Sequence, residues 1–322
     1  MKALITGGAG FIGSHLTDEL INNGHQVISL DDLSTGKLQN VAHLEKNRNF
    51  ELVVGTVLNE SLVDKLVEKC DVIFHLAAAV GVELIVKEPL GSLTTNIKGS
   101  EIVLEMADRY HKKILITSTS EIYGKNVNGP LKENDDRILG SPLKVRWSYS
   151  TAKAVDEMLA YVYWKEKGVP SIIVRLFNTV GPRQTGAYGM VTPRFISQAL
   201  KNEPITVYGS GKQSRCFIHV SDVVKTLVNL IDEPKAVGEV FNIGSQEEIT
   251  IEQLAKEIIS ITKSKSKINY IPYEKAYEEG FEDMQRRVPD TTKINKLIGF
   301  KPTYTLSQII KDIVKYLKSN NL

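Results

Sequence analysis

The N-terminal stretch Lys2-Ala-Leu-Ile-Thr-Gly-Gly-Ala-Gly-Phe-Ile-Gly13 sets the interpretation of the whole chain. Its first residues, Ala3 to Thr6, are apolar and predict a short buried strand. The glycine-rich turn leads into an amphipathic helix over Ser14 to Asn23, and a second apolar strand follows over Val27 to Leu30. The order strand, glycine turn, helix and strand predicts a βαβ unit.

Three glycines, Gly7, Gly10 and Gly13, give this turn a nucleotide-binding character. Glycine permits a tight turn and a close approach of the backbone to a pyrophosphate, and the amides at the start of the next helix attract phosphate oxygens. Asp31 stands at the end of the second strand. A carboxylate there accepts hydrogen bonds from adenosine ribose hydroxyls and repels a 2′-phosphate. The stretch therefore predicts a site for NAD rather than NADP.

The alternation of strands and helices continues beyond this unit and predicts an α/β fold with a doubly wound parallel Rossmann sheet. Further strands are predicted at residues 50–54, 72–76, 114–117, 171–175 and 240–243, and helices at 60–68, 96–110, 149–167 and 220–230. After Asn178 the chain becomes turn-rich, which predicts a smaller C-terminal α/β substrate lobe. We expect residues 1–178 plus 217–243 to form the NAD-binding domain and residues 179–216 plus 244–322 to form the lobe.

Composition places the chain among ordinary globular enzymes. Its 322 residues are 42% hydrophobic and 24% charged, with a net charge of +2. That charge provides no global field for nucleic acid or anionic membrane. No N-terminal signal segment or apolar run of transmembrane length is visible, and Cys70 and Cys216 form no disulfide framework. We expect a cytoplasmic protein without a metal site.

Tyr149 and Lys153 stand four residues apart in a predicted helix, so both side chains lie on one face. A lysine ammonium beside a phenol favours the phenolate, and we therefore expect the pKa of Tyr149 to fall. Such a tyrosine accepts a proton from a sugar hydroxyl near neutral pH. Alone the pair is weak evidence, because surface helices often carry tyrosine and lysine together.

With these residues in place, the chain resembles the extended short-chain dehydrogenase/reductase family, in particular its nucleotide-sugar epimerases, dehydratases and decarboxylases. The resemblance covers nearly the whole chain. The motifs that carry it are Gly7 to Gly13, His75-Leu-Ala-Ala78, Ser118 to Gly124, Tyr149 with Lys153, Arg175-Leu-Phe-Asn178, Val207 to Arg215, and His219-Val-Ser-Asp222.

The resemblance implies roles for individual residues. The implied cofactor contacts are Gly7, Gly10, Phe11, Ile12, Gly13, Asp31, Asp32, Leu76, Ala77, Ala78, Asn96, Ser118, Tyr149 and Lys153. Ser118 or Thr119 would bind the sugar 4-hydroxyl. Asn178, Tyr208, Arg215 and Arg287 would bind a UDP-sugar, with Tyr208 near the base and Arg215 on a phosphate. The family often reads adenine with an acidic-apolar pair after the third strand, where this chain has Thr56-Val57, so the adenine contact is left open.

The residue beside the catalytic pair bears on the choice of reaction. The resemblance implies that Tyr149 and NAD oxidise the sugar at C4 and that Glu121 then acts at C5 or C6. Thr119-Ser120-Glu121 and Arg146-Trp-Ser-Tyr149 resemble decarboxylases of UDP-glucuronate, whereas His75-Leu-Ala-Ala-Ala-Val80 is more similar to epimerases. Decarboxylation, C5/C6 elimination or 5-epimerisation, and simple 4-epimerisation all stay open, and each is redox-neutral overall.

Two further expectations concern assembly and class. Apolar residues at helical spacing mark the two long helices: Ile102 and Met106 in one, and Met158, Tyr161 and Val162 in the other. The resemblance implies that these helices pair across a two-fold axis into a four-helix bundle, so we expect a homodimer. A non-catalytic NAD-binding sensor or scaffold is the alternative from another class. The presence of Tyr149, Lys153, Ser118 and Glu121 counts against it.

Overall fold

A computed structural model describes residues 1–81, 88–186, 190–276, 282 and 284–320. In chain order its strands are β1 (Lys2–Thr6), β2 (Gln26–Asp31), β3 (Phe50–Val54), β4 (Val72–His75), β5 (Lys113–Thr119), β6 (Ser171–Leu176), β7 (Thr179–Val180), β8 (Ile205–Tyr208), β9 (Ser214–Cys216), β10 (Ile218–His219), β11 (Val240–Ile243), β12 (Glu248–Thr250), β13 (Ile268–Ile271) and β14 (Arg286–Arg287). Within the described residues, seven of them form one sheet in the order β11-β6-β5-β4-β1-β2-β3. Every pairing in it is parallel, which confirms the predicted doubly wound sheet.

Helices cover both faces of this sheet, and others build the smaller lobe. They are α1 (Phe11–Asn22), α2 (Glu60–Glu68), α3 (Pro89–Arg109), α4 (Ser148–Val162), α5 (Val191–Leu200), α6 (Val220–Asp232), α7 (Ile251–Thr262), α8 (Tyr273–Ala276), α9 (Thr292–Ile298) and α10 (Leu306–Ser319). Side chains of a strand alternate between faces. Ala3 and Ile5 therefore pack with α1 and α6, whereas Leu4 packs with α2 and α3.

A second apolar core belongs to the smaller lobe. It is built by α5, α7 and α10 around residues such as Phe195, Leu254 and Ile309. Two small sheets, β8 with β13 and β12-β9-β14, complete the lobe. Ile294 of α9 and the nearby Phe300 instead pack into the core of the large sheet. The predicted domain boundaries assign residues 292–300 to the lobe, and those boundaries stay a prediction.

Two expectations about the long helices differ from the structure. The helix predicted to start at Asn96 begins at Pro89, because proline is well suited to the first helical position, where its missing N–H costs nothing. Ile102 and Met106 lie on the face of α3 that packs into the core of the large sheet, so they are not part of an outer face. On α4, Met158, Tyr161 and Val162 are exposed.

None of the helices in the described part of the chain is long and apolar enough to cross a membrane.

Candidate active site

The glycine turn between β1 and α1 is packed so closely that side chains do not fit. Gly7 has a φ of +74°, a conformation that favours glycine. A Cβ on Gly13 would lie 2.1 Å from the carbonyl oxygen of Gly7, and a Cβ on Gly7 would lie 2.9 Å from the backbone nitrogen of Ala77. Phe11, Ile12 and Gly13 form the first turn of α1 and line a cleft of about 490 Å³. This glycine cradle at a helix N-terminus fits a dinucleotide pyrophosphate.

Two aspartates at the end of β2 line the same cleft. Asp31 accepts hydrogen bonds from the backbone amides of Ala9, at 2.9 Å, and Leu33, at 2.8 Å. Burial raises its pKa, and these amides lower it by less. The Asp32 carboxylate accepts the amide and the hydroxyl of Ser34. Asp31 thus ties the glycine turn to the place where a ribose would lie.

The loop after β4 forms the opposite wall of this cleft through Leu76, Ala77 and Ala78. Asn96 of α3 fixes that loop from beneath: its Oδ1 accepts the Ala79 amide at 2.8 Å, and its Nδ2 donates to the Ala79 carbonyl at 3.3 Å. Asn96 is 1% exposed, so it positions the wall rather than lining it. Of the pair Thr56-Val57, Val57 lines the cleft.

A second cleft, of about 370 Å³, opens at the end of β5. Thr119 caps the short 3₁₀ turn of residues 120–123 by accepting the Glu121 amide at 3.2 Å. This turn carries Glu121 into the cleft, where Ser118, Thr119 and Tyr149 also lie. The Ser118 hydroxyl is buried and has no hydrogen-bond partner among the described residues. It is therefore available to a ligand hydroxyl.

The expectation that Lys153 lowers the pKa of Tyr149 is wrong for this arrangement. The Lys153 Nζ lies 2.6 Å from Oδ2 of Asp156, three residues further along α4, and both side chains are buried. The pKa of Tyr149 is raised, first by burial and then by the negative charges of Glu121 and Asp156. The positive charge of the ammonium is offset by the negative charge of the Asp156 carboxylate, so the net electrostatic effect of the pair on the phenol does not favour the phenolate.

Glu121 is held as a carboxylate by arginines. Arg146, which precedes α4, donates from Nη1 to Oε2 at 2.7 Å and from Nη2 to Oε1 at 3.1 Å. Arg287 Nη1 lies 3.6 Å from Oε1. Burial alone would raise the pKa of Glu121, but Arg146, Arg287 and Arg215 together lower it to about 2. Glu121 is therefore ionised throughout the neutral range.

The predicted substrate residues converge on the same cleft. Parallel pairing of β14 with β9 sets Arg287 opposite Arg215, although the two are far apart in sequence. Arg287 Nη2 donates to Asn178 Oδ1 at 2.6 Å, and Asn178 Nδ2 donates to the carbonyl of Cys216 at 2.8 Å. The residues that line the cleft are Asn178, Tyr208, Arg215 and Arg287.

Sequence reasoning missed Arg194, Gln213 and Tyr273. The Arg194 guanidinium lies 4.1 Å from the ring centroid of Tyr208, a cation–π arrangement. Gln213 Nε2 donates to the Tyr208 carbonyl and to the Tyr273 hydroxyl, both at 3.1 Å. All three of these residues line the cleft. Arg194 sits in an ordinary amphipathic helix, which carries no sequence signal for its role.

The two clefts meet at shared walls, formed by Phe11, Ile12, Leu76, Ala78, Val80 and Thr117. A ligand in the cleft at the glycine turn therefore contacts a ligand in the second cleft, beside Ser118 and Tyr149. The described residues include no group of His, Cys, Asp and Glu arranged to hold a metal ion.

Comparisons with known proteins show what the chain is similar to. A family model described as GDP-mannose 4,6 dehydratase matches residues 4–313. The chain is 41% identical over 318 residues to the UDP-N-acetyl-alpha-D-glucosaminuronate decarboxylase of Bacillus cytotoxicus, covering 98% of each protein. It is 38% identical over 315 residues to UDP-glucuronic acid decarboxylase 1 of Danio rerio, covering 98% of this chain and 72% of that protein.

A solved structure with the same fold is the UDP-glucuronic acid 4-epimerase of Bacillus cereus, in complex with UDP-glucuronic acid and NAD. It superimposes with a TM-score of 0.90 at 30% identity, covering 99% of this chain and 100% of that one.

Proposed function

Because the chain belongs to the GDP-mannose 4,6 dehydratase family of nucleotide-sugar-modifying enzymes, we propose that it is an NAD-dependent decarboxylase of a UDP-hexuronate. Its relatives named as decarboxylases act on UDP-linked uronates, with or without an N-acetyl group. The reaction releases C6 as carbon dioxide and leaves a UDP-pentose. It is redox-neutral, so the same NAD serves every turnover.

The observation that carries the proposal is the charge balance in the substrate cleft. Arg146, Arg194, Arg215 and Arg287 line it, and of the described residues that line it Glu121 is the acidic one. Arginine binds carboxylates and phosphates with paired hydrogen bonds. The excess of positive charge suits a ligand that carries both a diphosphate and a C6 carboxylate. A neutral hexose would leave part of it unbalanced.

The first step is oxidation at C4. The glycine turn and the loop after β4 would hold NAD, which would supply the redox chemistry at C4, first oxidation and finally reduction. Tyr149 accepts the proton of the 4-hydroxyl, and Ser118 is placed to hold that hydroxyl. In the structure, burial and then the charges of Glu121 and Asp156 raise the pKa of this phenol.

The second step is loss of C6. With a ketone at C4, the C6 carboxylate belongs to a β-keto acid, so the C5–C6 bond breaks and its electron pair moves to the C4–C5 enolate. A proton taken up from water then adds to C5. Because Glu121 is ionised, it is unsuited to donate that proton directly. We assign it instead to balancing the positive charge of Arg146 and Arg287. These cations can then bind the substrate carboxylate without stabilising it so strongly that the loss of carbon dioxide is slowed.

The test is product analysis. UDP-glucuronate and UDP-N-acetylglucosaminuronate, each carbon-13 labelled at C6, are incubated with the protein, and UDP-glucose serves as the neutral comparison. We expect labelled carbon dioxide and a UDP-pentose from at least one uronate and no turnover of UDP-glucose. Retention of the label in every product overturns the proposal.

A second candidate is 4-epimerisation of a UDP-hexuronate, which the structural similarity to the Bacillus cereus 4-epimerase favours. The same arginines would bind the carboxylate, and Tyr149 would serve both hydride transfers. The two reactions separate in the labelling experiment, because an epimerase keeps C6 and inverts C4.

Assembly and location are further parts of the proposal. We propose a homodimer in which α3 and α4 pair with their counterparts, supported by the exposed apolar residues Leu90, Met158, Tyr161 and Val162. The binding area of this face is contributed mainly by α4, since Ile102 and Met106 are internal. A cytoplasmic location is supported by Cys70 and Cys216, which are both unpaired and buried.

A further inference from the structure

We propose that Asp156 is a positioning residue that acts through Lys153, as the counter-ion that keeps this buried lysine charged and in place one helical turn from Tyr149. The inference rests on the proposed function for the role of Tyr149 and adds a residue to that machinery. Asp156 does not line either cleft, and sequence reasoning did not single it out.

The geometry of the pair is the first support. Asp156 Oδ2 lies 2.6 Å from Lys153 Nζ, and the exposed fractions of the two side chains are 0% and 2%. A buried ammonium is costly to desolvate, and a buried carboxylate beside it offsets that cost only while both charges are present. The two residues stand three apart on α4, a spacing at which side chains meet. The pair is therefore local and independent of ligand.

Among the described residues, no other carboxylate forms an ion pair with the Lys153 ammonium. Tyr149 lies on the same helix, and His75 faces Lys153 from β4. Burial and then the charge of Lys153 lower the pKa of His75 to about 3, so His75 is neutral and offers no countercharge. Glu121 acts on Tyr149 from the 3₁₀ turn, but its carboxylate is bound by Arg146. Asp156 is thus the carboxylate on which the charge of Lys153 depends.

Asp156 also has capacity that the ion pair does not use. Its second oxygen, Oδ1, is buried and makes no hydrogen bond with the described residues. A carboxylate placed only for packing would be expected to have both oxygens satisfied.

The sign of the expected pH effect follows from these contacts. Burial disfavours the charged form of a lysine, and a neighbouring carboxylate favours it. Removing the carboxylate therefore disfavours the charged form of the lysine in the variant. The alkaline limb of activity in an Asp156→Asn protein should therefore move to lower pH. A role in folding alone would lower stability and leave the pH profile in place.

The experiment compares three variants of the full chain with the parent. Asp156→Asn should reduce kcat about 10-fold or more, less than the ~10²–10⁴-fold expected for loss of an acid–base group itself. Asp156→Glu keeps the charge and should restore the parent's alkaline limb. Glu157→Gln is the matched control, since Glu157 is the next residue of α4 and its buried ion pair is with Arg175. It should lose thermal stability with an unchanged pH profile.

A Lys153→Met background separates action through the lysine from action elsewhere. There, adding Asp156→Asn should cause no further loss of kcat, because the lysine is already absent and the change also removes the negative charge by which Asp156 raises the pKa of Tyr149. A further loss, or a parent-like pH profile in Asp156→Asn alone, overturns the inference. If the Asp156→Asn protein does not fold, the Asp156→Glu protein provides the test instead. An alkaline limb shifted away from that of the parent in Asp156→Glu would then overturn the inference.

Retention of NAD by the purified proteins is measured alongside, because it does not depend on the nucleotide sugar. Asp156→Asn should bind NAD several-fold more weakly and Glu157→Gln as tightly as the parent. If no uronate is turned over but this difference is found, the proposed function fails and the role of Asp156 stands. Equal NAD binding by both variants counts against Asp156.

Discussion

Arg146 and Glu121 form a two-pronged ion pair inside the substrate cleft, with nitrogen–oxygen distances of 2.7 and 3.1 Å. The pair joins the 3₁₀ turn of residues 145–147, which leads into α4, to the 3₁₀ turn of residues 120–123 after β5. It therefore fixes a carboxylate near Tyr149, which α4 carries, and keeps that carboxylate ionised.

Replacing Arg146 with Met should destabilise the protein by about 3 kcal/mol, because it leaves Glu121 buried without its main partner. The pKa of Glu121 is about 2 in the fold, below its ordinary 4.5. Its ionisation therefore stabilises the fold above about pH 4.5, and that contribution is lost as the pH falls toward about 2. The gap in unfolding free energy between parent and variant should narrow over this range, as measured by urea denaturation.

Arg286→Met is the matched control for that measurement. Arg286 also forms a two-pronged pair, with Glu248, but both side chains are 34% exposed. Its loss should cost less than about 1 kcal/mol. Equal costs for the two variants would show that the Arg146–Glu121 pair contributes no more than a surface contact.

Gly13→Ala should abolish cofactor binding, because the added Cβ would lie 2.1 Å from the Gly7 carbonyl oxygen. Gly186→Ala is the control, since a Cβ there has its nearest neighbour at an ordinary 3.6 Å. Nucleotide released by denaturing the purified proteins is identified by chromatography. The parent and Gly186→Ala should release NAD, and Gly13→Ala none. Release of mainly NADP from the parent would contradict the role of Asp31.

Met158→Arg should convert the proposed homodimer to a monomer, because it puts a charge into the exposed apolar face of α4, where Met158 is 69% exposed. Leu143→Arg, at a loop residue that is 90% exposed, should leave the assembly unchanged. Light scattering at micromolar concentration gives the masses. A monomeric parent contradicts the dimer, and a dimeric Met158→Arg protein contradicts this interface.

The sequence predicted what is local or repeated. The glycine turn, the parallel sheet and the family resemblance are confirmed, since strand patterns and short motifs lie within a few residues of one another. The sequence could not predict the Arg146–Glu121 and Arg194–Tyr208 contacts, because each joins two elements that only the tertiary fold brings together. The raised pKa of Tyr149 depends on burial, which spacing does not report. The Lys153–Asp156 pair was visible as a helical spacing, but the Tyr149–Lys153 spacing was weighed instead.

The central claim divides the work between two residues: Tyr149 is needed to oxidise C4, and Glu121 acts only afterwards. Glu121→Gln removes the charge that balances Arg146 and Arg287, so these arginines should hold the uronate carboxylate after oxidation and delay its loss. Reduced cofactor should then accumulate. Tyr149→Phe should show neither turnover nor reduced cofactor, with a loss of ~10²–10⁴-fold in the oxidation step.

The most direct measurement is the absorbance of bound NADH after mixing each variant with UDP-glucuronate or UDP-N-acetylglucosaminuronate. The account predicts a lasting rise for Glu121→Gln, a transient or undetectable one for the parent, and none for Tyr149→Phe. A Glu121→Gln protein that turns over at the parent rate without accumulating NADH would contradict it and leave Glu121 a structural residue.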